Sequence, residues 1–216
     1  MDTSGTLAPA RNQNIYLLLK RLQSSGYIQV SSNIMTDFSI KIINQNWICE
    51  TNNETDLCSH GQFELIIGNK KILSLEDDLN WTISTSTLNL LKCIESNHLA
   101  NENFDLILHC GELLMLNCPI GIYLDLTHDN EEITIENIVK QFGTSEKSIV
   151  KYSDLKVKIS KREFAIQVLK IAECVIDFFE KQPERKFSDE TEKNMWKNFW
   201  IEFNALYEDG KEKYYC

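Results

Sequence analysis

Cys49, Cys58, His60, His109, Cys110, Cys118 and His128 are the side chains whose types suit metal ligation or a nucleophile and base pair. Their spacing suits neither. Structural zinc draws on short-spaced knuckles such as Cys-x-x-Cys, and no such pair occurs; Cys58-Ser59-His60 stands alone. His109 and Cys110 are neighbours in an extended apolar segment and so point to opposite faces of a strand. A cysteine hydrolase gathers a histidine and an orienting group around one nucleophile, whereas the 4 histidines here are scattered. The 8 glycines never form GxGxxG or a P-loop, so no phosphate-cradling loop is expected. Asp77-Asp78 and Glu131-Glu132 lie in polar loops, without the apolar pocket that lifts the pKa of a general acid. The expectation is a protein with no metal, no cofactor and no catalytic residues.

The 7 cysteines form an odd set scattered among apolar positions, which predicts reduced thiols and a cytoplasmic protein. The first residues contain no long apolar run, so neither secretion nor membrane insertion is expected. The net charge of -10 is unevenly spread. Residues 1–35 carry three basic side chains against one acidic, and residues 36–142 carry five against seventeen. Residues 143–187 have ten against seven, and residues 188–216 four against seven. The acidic middle repels nucleic acid and anionic lipid and attracts basic partners.

The elements follow from periodicity. Residues 1–35 read as a polar tail, a short helix over Asn14 to Ser25 and a strand over Tyr27 to Ser31. Residues 36–159 read as one sheet. Asp37 to Ile43 and Trp47 to Cys49 form a first hairpin around Asn44-Gln45-Asn46, and Gln62 to Ile67 and Lys70 to Leu73 a second through Gly68-Asn69. A helix over Ser86 to Asn97, capped by Ser84 or Ser86, interrupts them. Ile120, Ile122, Leu124 and Leu126 alternate with polar residues before an Asp129-Asn130 turn and the Ile133/Ile135 strand. Gly143 to Asp154 reads as a polar linker and Leu155 to Ile159 as a last strand. Residues 160–208 read as a helical hairpin. Ser160 and Glu163 make a capping box, Phe164, Val168, Ile171, Val175 and Phe178 give one stripe, and Pro183 ends the helix. Ser188-Asp189-Glu190 opens the second helix, with Met195, Phe199, Phe203 and Leu206 on its stripe beside the aromatic row Trp196, Trp200 and Tyr207. The predicted fold is α+β: a mainly antiparallel meander carrying two antiparallel C-terminal helices.

Two segments, HCGELLMLNCPIGIYLDLTHDNEEITIENIVK within Leu106 to Val139 and its flanks, and Val157 to Tyr207 ending in MWKNFWIEFNALY, bear a resemblance. The chain resembles the WapI-like immunity proteins of bacterial polymorphic and contact-dependent toxin systems. The resemblance implies a non-enzymatic protein that binds and neutralises a cognate toxin domain, commonly a nuclease. With the acidic middle segment it implies a basic protein partner, and neither nucleic acid nor membrane. Glu76, Asp77, Asp78, Asp129, Glu131 and Glu132 are the candidate steering acids, and Trp196 and Trp200 the candidate short-range anchors. The alternatives are a regulatory or scaffold interaction module, or a hydrolase whose mark would be a pocket joining His60, His109 or His128 to a cysteine or carboxylate.

Overall fold

The computed structural model describes residues 37–48, 54–77, 80–101, 105–109 and 118–215. A division of the chain falls between Met35 and Thr36, so all of these lie on its C-terminal side. The tail, helix and strand read in residues 1–35 are outside the described residues, as is Asp78.

Alternating side chains set the first sheet. β1 (Phe38–Asn46) pairs antiparallel with β2 (His60–Ile67), and Phe38, Ile40, Phe63, Leu65 and Ile67 turn inward. The outer face carries charge, with Glu64 between Lys41 at 3.7 Å and Lys71 at 3.8 Å. β3 (Lys70–Leu73) returns through Gly68, whose φ of 55° is the left-handed turn conformation expected at Gly68-Asn69. The hairpin expected around Asn44-Gln45-Asn46 does not form. Those residues instead continue β1 past a bulge and pair with Gln62, Gly61 and His60. Gly61 allows this approach, since a Cβ there would lie 2.1 Å from the Asn44 carbonyl oxygen. β4 (Trp81–Thr82) adds to β2 and completes a four-stranded sheet.

The helix expected over Ser86 to Asn97 runs earlier, as α1 (Ile83–Lys92), with Thr82 at its N-cap. Ser84 and Ser86 do not cap it. They lie buried and accept hydrogen bonds from the backbone N–H of Ser59 (3.1 Å) and Leu108 (3.0 Å), which ties α1 to strands on both sides.

A second, five-stranded sheet holds β5 (Ile107–Leu108), β6 (Gly121–Asp129), β7 (Glu132–Gln141), β8 (Ile149–Tyr152) and β9 (Val157–Ser160). The single meander is thus two antiparallel sheets. Ile122, Leu124 and Leu126 are buried as their alternation requires, and Asn130 takes φ 54° in the turn. Asn137 and Ile138 of β7 together oppose Leu124 of β6, with Asn137 at φ 55°. This bulge shifts the alternation of β7, so that Ile138 and Lys140 join Ile133 and Ile135 on the buried side. The linker read over Gly143 to Asp154 contains β8, which extends the edge of β7 next to β9.

α2 (Lys161–Glu180) begins where the capping box places it, with Ser160 Oγ accepting from the Glu163 N–H at 3.1 Å. Phe164, Val168, Ile171 and Val175 are buried against β1, β7, β9 and α1. α3 (Glu190–Tyr214) is capped by Asp189, which accepts from the Glu192 N–H at 2.8 Å. It runs antiparallel to α2 and packs on α2 and α1, burying Phe199, Phe203, Tyr207 and Tyr214. Gly210 leaves room for Leu169 of α2, which a Cβ there would meet at 3.0 Å.

Candidate protein-binding surfaces

The side chains that could do bond chemistry are mostly packed. Cys58 and Cys93 are buried, and burial pushes the Cys93 thiol up to about 12. Cys118 and Cys174 are unbridged. No group of three or more His, Cys, Asp or Glu side chains poised for a metal ion occurs among the described residues. Burial holds the His60 imidazole below its ordinary pKa, against the pull of Asp56 at 3.8 Å. At 4% exposed, with that carboxylate beyond hydrogen-bond reach, His60 is poorly placed to take a proton from a substrate. His109 meets Trp81 edge-on at 6.1 Å, and His128 Nε2 lies 3.0 Å from the Cys93 carbonyl oxygen.

The candidate acids separate into two groups. Glu76 and Asp77 sit on a one-turn 3-10 helix, Leu75–Asp77, that follows β3. Asp77 is already engaged: it accepts from the Ser74 N–H at 2.7 Å and from the ammonium of Lys140, which also donates to the Ile72 carbonyl at 3.0 Å. Glu76 makes no ion pair among the described residues. The turn walls a groove of about 320 Å³ lined by Glu76, Asp77, Lys140, Phe142, Val150 and Tyr152. Phe142 is 41% exposed, Val150 39% and Leu75 57%, so apolar side chains and acids share one surface. Burial, and then the Asp77 charge, hold the Tyr152 phenol above its ordinary pKa. Periodicity could not reveal Phe142 and Val150 as neighbours, because the β7–β8 pairing that joins them lay within the supposed linker.

Asp129, Glu131 and Glu132 lie at the opposite end of β7, about 25 Å away at ~3.3 Å per residue. Of the three, Glu132 has a basic side chain from later in the chain beside it. Lys158 is 3.4 Å from Glu132, and the Lys161 N–H donates to the Glu131 carbonyl at 2.8 Å. Lys161 and Lys213 also flank Glu95, at 4.0 and 2.7 Å. Exposed pairs of this kind contribute little to stability.

Trp196 and Trp200 are half-buried on α3. They pack edge to face at 5.5 Å, and Phe179 of α2 meets Trp200 at 5.0 Å. Together they line a groove of about 370 Å³ under the connection between α2 and α3. Trp47 closes the far side of Phe179, at 5.3 Å, and donates from Nε1 to Gln182 at 3.1 Å. The aromatic row therefore serves packing on one side and an open cleft on the other.

No helix among the described residues is long and apolar enough to cross a membrane. Comparison with protein-family models, curated proteins and solved structures finds no match to this chain.

Proposed function

We propose that this chain is a non-enzymatic immunity protein of the WapI-like type, which binds and neutralises a basic toxin domain. The observation that carries the reading is the groove beside the Leu75–Asp77 turn, where exposed Leu75, Phe142 and Val150 stand with Glu76, which makes no ion pair among the described residues. Exposed apolar side chains framed by charge are the composition of a protein interface: the apolar groups anchor and the acids select a basic partner. The acidic count of residues 36–142 supports the same partner by long-range steering.

The test is co-expression in bacteria with the C-terminal domain encoded by the adjacent open reading frame. Growth should be restored by the parent protein and lost with Phe142→Asp and Val150→Asp together, both at exposed positions, in a variant whose melting temperature is unchanged. Absence of binding between the parent protein and that domain would remove the immunity reading.

A further inference from the structure

The geometry points to a second anchoring site, the groove between the end of α2 and the first half of α3, which takes an arginine or lysine side chain of a basic protein segment. Ile176, Phe179, Trp196 and Trp200 supply its apolar wall, and Glu180 and Glu184 stand at its rim. Both glutamates are exposed, and neither makes an ion pair among the described residues. α2 ends at Glu180, so the negative end of its dipole adds to the same potential.

Cationic side chains already at this site are committed elsewhere. Arg185 is 6% exposed, stacks on Trp47 at 4.3 Å and donates to the Pro183 carbonyl at 2.8 Å. Lys181 faces Asp177 at 3.6 Å. The aromatic centroids lie 5.0 to 5.5 Å apart, too close for an ion to enter between the rings. An occupant lies across their outer faces instead. A long aliphatic stem ending in a cation satisfies both halves of the groove, with the stem on the indoles and the charge between the glutamates. An acidic or purely apolar segment would leave the two glutamates unpaired.

The identity of the partner rests on the reading above, whereas the chemistry of the groove does not. The full-length protein would be titrated with a capped peptide of alternating Arg and Leu, and in parallel with its Glu and Leu counterpart. Trp47 is 8% exposed and Trp81 1%, so among the 4 tryptophans only Trp196 and Trp200 can report an occupant directly. The basic peptide should move the indole N–H resonances of Trp196 and Trp200 and change tryptophan emission, while the acidic peptide leaves both unchanged. Glu180→Lys with Glu184→Lys, at an unchanged melting temperature, should weaken the basic peptide by about tenfold or more. Binding that survives the double substitution, a response that spares Trp196 and Trp200, or no response up to about 1 mM peptide would each overturn the site. Since no toxin is present, such a result leaves the immunity reading standing, and failed co-expression leaves the groove standing.

Discussion

Lys140 of β7 reaches across from the second sheet to Asp77, which lies between β3 and β4 of the first, and their charged groups meet with side chains only 10% and 19% exposed. The bulge at Asn137 makes this possible, because without the extra residue Lys140 would point to the other face. The pair bolts the two sheets together, with the Ile72 carbonyl as a third member. Lys140→Met should cost about 3 kcal/mol by leaving the Asp77 charge uncompensated and that carbonyl without its ammonium donor. Asp77→Asn with Lys140→Met should cost clearly less than the sum of the two single changes, as measured by urea denaturation. Additive losses would show that the two groups are not coupled.

Val175 is fully buried on the face of α2 that meets the rest of the core. Val175→Asp places an unpaired carboxylate there and should cost about 3 kcal/mol or more. A variant that melts within a degree or two of the parent would contradict the packing of α2.

Asp105 is 7% exposed, with Oδ2 lacking a hydrogen-bond partner among the described residues. Burial raises its pKa to about 6, against an unfolded value near 3.9. A raised carboxyl pKa means that the folded state holds the proton longer. The contribution to stability is fully present below about pH 3.9 and is lost as pH rises through about 6. Asp105→Asn removes this dependence. The stability advantage of the variant should therefore grow from pH 4 to pH 7, by on the order of 2 kcal/mol; a difference that stays flat would show that Asp105 is ionised or solvated throughout.

Thiol titration of the protein denatured without reductant should find all 7 cysteines free. Native mass spectrometry should give the bare chain mass, and one tightly held zinc would revive a metal-dependent activity.

Local pattern made much of the fold legible. The period of two in Ile122, Leu124 and Leu126 fixed the inner face of β6, and Ser160 and Asp189 marked the starts of α2 and α3 through hydrogen bonds within a single turn. Features that depend on pairing between distant strands were hidden. Nothing local distinguishes Asn44 to Asn46 as a turn from the same residues running on opposite Gly61. Nor does periodicity foretell the bulge that buries Lys140. Charge counted along the chain likewise does not say where on the surface the field lies. Lys156 and Lys158, from the basic segment, lie against Glu136 and Glu132 of the acidic one, at 2.6 and 3.4 Å. Of the candidate acids described at the two ends of β7, Glu76 is the one left beside exposed apolar surface, while Trp196 and Trp200 gain Glu180 and Glu184 as neighbours.

The proposed acid-steered binding of a basic toxin domain is measured by stopped-flow association with that domain from low to high salt. The measurement should be repeated with Glu76→Gln and Asp78→Asn together, and separately with Asp129→Asn, Glu131→Gln and Glu132→Gln. The association rate should fall steeply with ionic strength. The Glu76 and Asp78 variant should lose roughly tenfold at low salt, the hairpin variant should lose less, and dissociation should change little in either. An association rate indifferent to both salt and these substitutions would contradict acid steering.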